Sequence, residues 1–453
     1  MLQYKIYYVM YRHSAINGAT AAAIAASIEQ AMLSGKLSGG SRLPPIRELA
    51  NSLRVSPVTV AAAYRVLRSR GLALGQGRRG TTLRAPVPLA PAPISRSRYA
   101  PGLVDLATGN PDPGFLPQIG GALRGVDPDT RLYGGPLELP DLIAFASAEF
   151  AADGVAAGPV AVTSGSLDAI ERLLREHARP GDQVAVEDPT FPALLDLLAS
   201  NGLVPVPFGV DDDGPQADLL ERALRARATE SRVSAVVVSS RAQNPTGAAI
   251  SEQRADDLAR VLRRARALLI EVDESSAVSG SPLVTLTEGT EHWAVVRSTS
   301  KWLGPDLRVA VVTGDPITIA RLRRRQAISV RWVSHLLQRL TLALWSDPSS
   351  GRLFSRAAEA YAARRNAVID ALAAHDIHAH GRSGFNVWIP VREETATVQA
   401  LADRGWAVAA GERFRLHSPP AIRVTTSALR PEEAKRFAAD LAMAARPRAP
   451  VVA

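Results

Sequence analysis

The chain has 453 residues, 46% of them apolar and 21% charged, which is enough for two or three domains, each with its own core. Without cysteine it holds no disulfide, no thiolate metal site and no cysteine nucleophile; no metal site is expected, and no apolar run approaches the roughly 18–20 residues of a membrane span. The net charge of +9 is unevenly spread. Residues 1–100 carry 14 Lys/Arg against two acids, Glu29 and Glu48, whereas the remainder carries 39 against 42. A basic front end on a nearly neutral body points to a polyanion as partner of the front end. Met1 to His13 lack the basic start, apolar core and small-residue cleavage site of a signal peptide, so a cytoplasmic location is expected. Residues 1–17 receive no role.

In residues 18–84, Thr20 to Leu37 is predicted as an amphipathic helix with Ile24, Ile28 and Met32 on one face. A second helix is expected after Leu43, Pro44 and Pro45, running through Arg47, Leu49, Ala50 and Leu53, with Pro45 in its first turn. Arg54 and Val55 make a short turn. Ser56 is then a good N-cap, Pro57 the first helical residue, and Val60, Tyr64 and Leu67 the buried face up to Gly71. Leu72 to Leu83 reads as two strands around a turn over residues 75–80. Three helices followed by a glycine-tipped hairpin form a winged helix-turn-helix.

The stretch from Ser34 to Leu83 closely resembles the GntR-type DNA-binding domain, which implies a double-stranded DNA operator as partner. A recognition helix enters the major groove by its N-terminal end, so Ser56, Val58 and Thr59 would face bases or phosphates. Arg47 resembles the family's operator-contacting arginine, and Arg78 and Arg79 at the wing tip would reach the adjacent minor groove or its phosphates. Many relatives place an arginine where this chain has Pro57, so the operator sequence is not inherited from them. Residues 85–103 follow with five prolines and no acid, the composition of an extended, semi-rigid linker.

Over residues 104–446, apolar runs at 160–162, 183–186, 235–238 and 268–270 alternate with amphipathic helices, the pattern of an α/β fold with a central, mostly parallel sheet. Polar and glycine-rich clusters sit just after these strands, where such folds bind ligands. Lys301 stands after Ser298 and Ser300, with Arg308 seven positions on. Asn244 opens Asn-Pro-Thr-Gly, Asp273 ends a strand, and Ser164, Gly165 and Ser166 open a helix. In this order the segments resemble class I aminotransferases, fold-type I proteins that hold pyridoxal 5'-phosphate (PLP).

That resemblance implies a role for each residue. Lys301 forms a Schiff base with the cofactor aldehyde, while Ser298, Ser300, Arg308 and the Ser164–Ser166 helix start bind its phosphate. Asn244 hydrogen-bonds the phenolic oxygen, Asp273 pairs with the pyridine nitrogen, and Phe191 stacks on the ring. Arg423 clamps a substrate or effector carboxylate, and Tyr133 reaches the phosphate of a neighbouring subunit, which implies a homodimer. The whole chain resembles the MocR/GabR group of GntR-type regulators, PLP-dependent transcription regulators sensing an amino compound or a B6 vitamer. One departure bears on activity. Where aminotransferases carry a tyrosine three positions after the aspartate, this chain has Ser276, too short to reach as a phenol does. Sensing is therefore expected over turnover, with an active aminotransferase carrying an accessory DNA-binding domain as the alternative.

Overall fold

The computed structural model describes residues 16–69, 72–75, 80–83, 102–126, 132–225 and 232–444. In the front module, the Thr20 hydroxyl caps helix α1 (Ala21–Leu33) by accepting the Ala23 N–H at 3.2 Å. Ile24 and Ile28 are fully buried on its inner face and Met32 is half-buried. The helix ends four residues before the predicted limit at Leu37. Gly35 takes φ +72 there, and the Ser34 hydroxyl donates back to the Gln30 carbonyl at 2.8 Å. Leu37 still joins the core from outside the helix.

Helix α2 (Ile46–Leu53) starts just after Pro45, which sits at its cap, not in its first turn. Arg54, at φ 53, turns the chain into α3 (Pro57–Ser69), whose Thr59 N–H donates to the Ser56 hydroxyl at 3.1 Å. Strands β1 (Ala73–Gly75) and β2 (Thr81–Leu83) pair antiparallel, with Ala73 opposite Leu83, and make the base of the wing. Leu49, Val60, Tyr64 and Leu67 complete this core, and the Tyr64 hydroxyl fastens it by donating to the Pro44 carbonyl at 2.7 Å. The wing tip with Arg78 and Arg79, and residues 85–101 of the predicted linker, lie outside the described residues.

The body contains two sheets. Strand β3 (Val104–Leu106), the first after the linker, is followed by α4 (Ile119–Gly125) and α5 (Pro140–Ala152). The chain then alternates through β4 (Val160–Thr163), α6 (Ser166–His177), β5 (Gln183–Asp188), α7 (Pro192–Ser200), β6 (Val204–Asp211), β7 (Gly214–Pro215), α8 (Ala217–Arg225), β8 (Val233–Ser239), α9 (Glu252–Leu262) and β9 (Leu268–Asp273). Strands β10 (Trp293–Ser298) and β11 (Ala310–Gly314) complete the larger sheet, in the order β4-β11-β10-β9-β8-β5-β6-β7. Its central strands run parallel; β11 is antiparallel to both neighbours and β7 antiparallel to β6. Helices α10 (Pro316–Ala327), α11 (His335–Ser346) and α12 (Pro348–Ala373) lead to β12 (Asn386–Pro390), α13 (Glu394–Ala402), β13 (Trp406–Ala410), β14 (Ala421–Thr425) and α14 (Ala434–Ala444). The smaller sheet has the order β12-β14-β13-β3, so the segment nearest the linker is built into the C-terminal part of the fold.

The larger sheet is buried on both faces, as parallel sheets are. One face packs against α5, α8, α9, α11 and the first half of α12, through Phe150, Leu220, Leu258, Trp345 and Phe354. The other packs against α6, α7 and α10, through Leu173, Leu198 and Leu322. Side chains alternate across the sheet with period two. Along β9, Leu268, Ile270 and Val272 face α6, and Leu269 faces α5. Along β10, Ala294 and Val296 face α6, and Trp293 and Val295 face α5. This parity decides which residues at the strand ends can meet.

Candidate cofactor site and DNA-reading face

Lys301 lies in the turn after β10, and its Nζ donates to the Gly109 carbonyl at 2.8 Å. Burial holds the ammonium below the usual lysine range; the charge of Arg423 pushes the same way, and Glu274 opposes both. An amine so lowered is more often neutral, the form that attacks a carbonyl carbon. Around it the predicted phosphate-binding residues come together. Gly165, at φ +94, caps α6, and Ser166 is its first residue. Arg308 Nη2 donates to the Ser164 carbonyl at 3.2 Å, and a Cβ on Gly165 would lie 2.7 Å from that same nitrogen. Ser298 and Ser300 stand together, their hydroxyls 3.2 Å apart. The N–H groups of the helix start, three hydroxyls and a guanidinium make a donor set suited to a phosphate.

Arg423, on β14, is buried behind this cup. Nη1 donates to Asn244 Oδ1 at 3.0 Å, Nη2 donates to the Ala107 carbonyl, and the guanidinium lies 4.8 Å from the Phe414 ring centre. Gly109 takes φ +71, and a Cβ there would come within 3.2 Å of both terminal nitrogens of Arg423. The turn after β3 therefore holds Lys301 through one carbonyl and Arg423 through another. The sequence reading missed this turn. Its signal was the run Gly109, Asn110, Pro111, Asp112, Pro113, Gly114, a dense cluster of turn residues directly after a short apolar strand.

Two residues singled out from the sequence stand differently from the rest. Phe191 is 7% exposed and belongs to the apolar cluster under α6 and α7. Tyr133 is 79% exposed, edge-on to Trp332 at 5.6 Å and under the Arg331 guanidinium at 5.2 Å, outside the cup of its own chain.

Asp273 is not brought to the cup. Strand parity turns it to the α5 face, where it is fully buried and both its oxygens are taken. Arg241 grips it side-on, Nε to Oδ1 at 2.9 Å and Nη2 to Oδ2 at 3.0 Å, and Arg297 Nε adds a bond to Oδ2 at 2.9 Å. Asp153, at the end of α5, balances the second positive charge by pairing with both arginines, and Arg297 also lies over the Phe150 ring at 4.6 Å. Burial pushes the Asp273 carboxyl up, but the two guanidiniums outweigh it and hold it below the usual range. The next residue, Glu274, faces the cup: its Oε1 accepts the Ser166 hydroxyl at 3.0 Å, and it acts on Lys301.

Two further acids lie under the same strand ends. Burial pushes Glu187 up to about 7 although Ser239 and Gln243 donate to it. Glu271 is likewise raised to about 7 by burial, against donors from Ser240, Thr285 and Leu286. Gln243 carries Glu187 across to the Asn-Pro-Thr-Gly turn, since its Nε2 donates to Glu187 at 3.1 Å and its Oε1 accepts the Thr246 N–H at 2.9 Å. These contacts set the turn that presents Asn244.

On the front module, Arg47 and Ser56 are exposed, Val58 is 72% exposed, and Thr59 is half-buried, its hydroxyl 2.8 Å from that of Ser56. The start of α3 thus offers a hydroxyl pair and a projecting methyl surface, suited to phosphates and thymine methyls respectively.

The sequence profile described as bacterial regulatory proteins, gntR family, matches residues 20–83, and that described as aminotransferase class I and II matches residues 101–441. The vitamin B6 salvage pathway transcriptional repressor PtsJ of Salmonella typhimurium is 40% identical over 432 residues, covering 94% of this chain and 98% of that protein. The chain is a MocR-type regulator of the GntR family. A second relative of this MocR-type regulator, the HTH-type transcriptional regulator TauR of Rhodobacter capsulatus, is 26% identical over 79% of this chain and 80% of its own length. Among solved structures, the multiple substrate aminotransferase of Thermococcus profundus superposes with a TM-score of 0.70 at 22% identity, over 79% of this chain and 95% of that one, which shows the fold. The body binds PLP, and its residues fit the cofactor: the Gly165 cradle that a Cβ would fill, the hydroxyl and guanidinium donors for the phosphate, and a lysine with a lowered proton affinity. Among the described residues no helix is long and apolar enough to cross a membrane.

Proposed function

We propose that this MocR-type regulator represses transcription from an operator it binds as a homodimer in the cytoplasm, and that a B6 vitamer or an amino compound is its effector. One observation carries the reading: Lys301, lowered in proton affinity, stands beside the Ser166, Ser298 and Arg308 cup with Arg423 behind it. The 40% identity to a repressor of vitamin B6 salvage supports a B6 vitamer as effector and repression as outcome. Bound in this cup, PLP supplies an aldehyde that captures amines.

The chain's own residues divide the work. Arg308, Ser298, Ser300 and the α6 N-terminus hold the phosphate, Asn244 orients the ring, and Lys301 presents its neutral amine. Arg423 holds the carboxylate of an amino-acid effector, oriented by its bonds to Asn244 and Ala107. Tyr133, exposed on its own chain, completes the partner's cup, which makes the site composite. Turnover as an aminotransferase is disfavoured by Ser276, which puts no phenol where the cofactor's oxygen would need one.

Purified protein incubated with PLP is expected to show a visible absorption band that Lys301→Ala abolishes, and its affinity for operator DNA is expected to change on adding PLP or a B6 vitamer. Operator binding that is indifferent to every vitamer and amine tested would overturn sensing. Steady conversion of an amino acid at about 1 s⁻¹ or faster would favour the enzyme reading.

A further inference from the structure

The cofactor cup stands at the C-terminal ends of β4 and β10. At the other edge of the larger sheet, where β5, β8, β9 and β10 begin, lies a cavity of about 1030 Å³. The six residues of β10, at about 3.3 Å each, put roughly 20 Å between the two. Open α/β sheets bind their substrates at the C-terminal ends, so this cavity is not an extension of the cup.

Its lining is cationic. Arg179 follows α6, Arg232 and Arg266 precede β8 and β9, and Arg321 lies on α10. All four are exposed, and among the described residues none of the four guanidiniums makes an ion pair or a hydrogen bond. The nearby acids are engaged or peripheral. Glu176 pairs with Arg324 at 2.9 Å, while Asp182 accepts the Arg179 N–H at 2.9 Å and the Ser234 hydroxyl at 2.8 Å. Asp315 accepts the N–H groups of Trp293, Ile317 and Thr318, and Glu291 is exposed. The dipole of α6 favours cations at its C-terminus and accounts for Arg175, which bonds Glu171 and Asn201. It does not account for Arg232, Arg266 and Arg321, which come from other elements.

His177 and His292 line the same cavity, their ring centres 6.5 Å apart. Burial holds the His177 imidazole below its ordinary range; Arg321 and His292 push it the same way, against the Leu173 carbonyl and Asp315. A single exposed arginine needs no partner. Four converging on one concavity make a focused positive field that an anion would relieve. Guanidinium forks grip phosphate oxygens two at a time.

We propose that this cavity is a second ligand site, for a small organic phosphate bearing two or more negative charges, held by Arg179, Arg232, Arg266 and Arg321. It is separate from the PLP cup and independent of which effector the cup takes.

The test uses full-length protein loaded with PLP and freed of excess, so that the phosphate donors of the cup are occupied. Inorganic pyrophosphate is the probe, titrated calorimetrically at constant ionic strength with the visible band recorded alongside. Wild type is expected to bind about one pyrophosphate per chain with the band unchanged, and to bind sulfate at least about tenfold more weakly. Arg232→Ala combined with Arg266→Ala is expected to weaken pyrophosphate by about ten- to a hundredfold. Both side chains are exposed, so this variant is expected to keep the wild-type melting temperature and visible band. Arg47→Ala, on the DNA-reading module, is expected to bind pyrophosphate as wild type does. No binding by wild type, undiminished binding by the double variant, or equal affinity for sulfate would overturn the site. A flatter salt dependence of operator binding in the double variant, measured without pyrophosphate, would assign these arginines to DNA and overturn the small-ligand reading.

Discussion

The DNA-reading module and the cofactor site place their working residues in opposite ways. Arg47, Ser56 and Val58 project outward from one contiguous stretch, and the residues that fold the module, Ile24, Leu49, Tyr64 and Leu67, are a separate buried set. In the body the two sets merge. Lys301, Arg423, Asn244 and the Ala107–Gly109 turn come from distant segments and are one another's hydrogen-bond partners. In the module, function can change at Arg47 and Val58 without touching the fold, and only Ser56, which also caps α3, serves both. In the body it can hardly change alone.

The comparison sharpens into measurements of decreasing size. Arg297→Ala should be the most costly, because it leaves the buried Asp273 and the half-buried Asp153 beside one arginine instead of two. Breaking a buried pair costs about 3–5 kcal/mol, read as a drop in denaturant midpoint at unchanged slope. Gly165→Ala should follow. At φ +94 and ψ 171 a side chain is strained by about 1–3 kcal/mol, and its Cβ would crowd the Arg308 nitrogen, so PLP affinity should fall about tenfold or more while operator binding by the apo form is kept. Ser56→Ala removes an N-cap worth about 1 kcal/mol of module stability and should weaken operator binding as well. Arg47→Ala should leave stability unchanged and reduce the slope of log K against log salt by about 1. A large loss of stability in Arg47→Ala, or none in Arg297→Ala, would break the contrast.

A pH series probes the body by itself. Glu271 binds its proton more tightly in the folded protein, near 7, than in the unfolded chain, near 4.5. Its contribution to stability is therefore fully present below about 4.5 and is lost as the pH rises through 7. Melting temperature should fall between pH 5 and 8, and Glu271→Gln should flatten that fall. A melting temperature that rises across the same interval would contradict the sign.

Much of this was legible in the sequence because its signals were local. The Ser56–Pro57 start of α3 and the spacing from Ser298 to Arg308 each lie within a dozen residues, and the structure keeps them. The ends of α1 and the start of α2 shifted because Ser34, Gly35 and Pro45 settle the caps through backbone angles that periodicity does not report. Asp273 shows a deeper limit. Order along the chain put it at the right strand end, but the face it points to depends on pleat parity, fixed by which of Leu269 and Ile270 meets α5. Arg241, in the loop after β8, and Arg297, on β10, claim it, and they are visible only once β8, β9 and β10 are side by side. The small sheet that gathers β3 with β12, β13 and β14 was equally hidden, since its first strand and its last three are separated by the whole larger sheet.

The hydrogen bond from Lys301 to Gly109 has a mechanical reading. Gly109 lies three residues past β3, and β3 begins where the predicted linker ends at Leu103. The lysine that takes the cofactor is thus also the clasp on the first anchored turn of the tether. When its nitrogen is engaged elsewhere, the carbonyl it held is released, and the turn after β3 is freed of one of its two ties to the cofactor site.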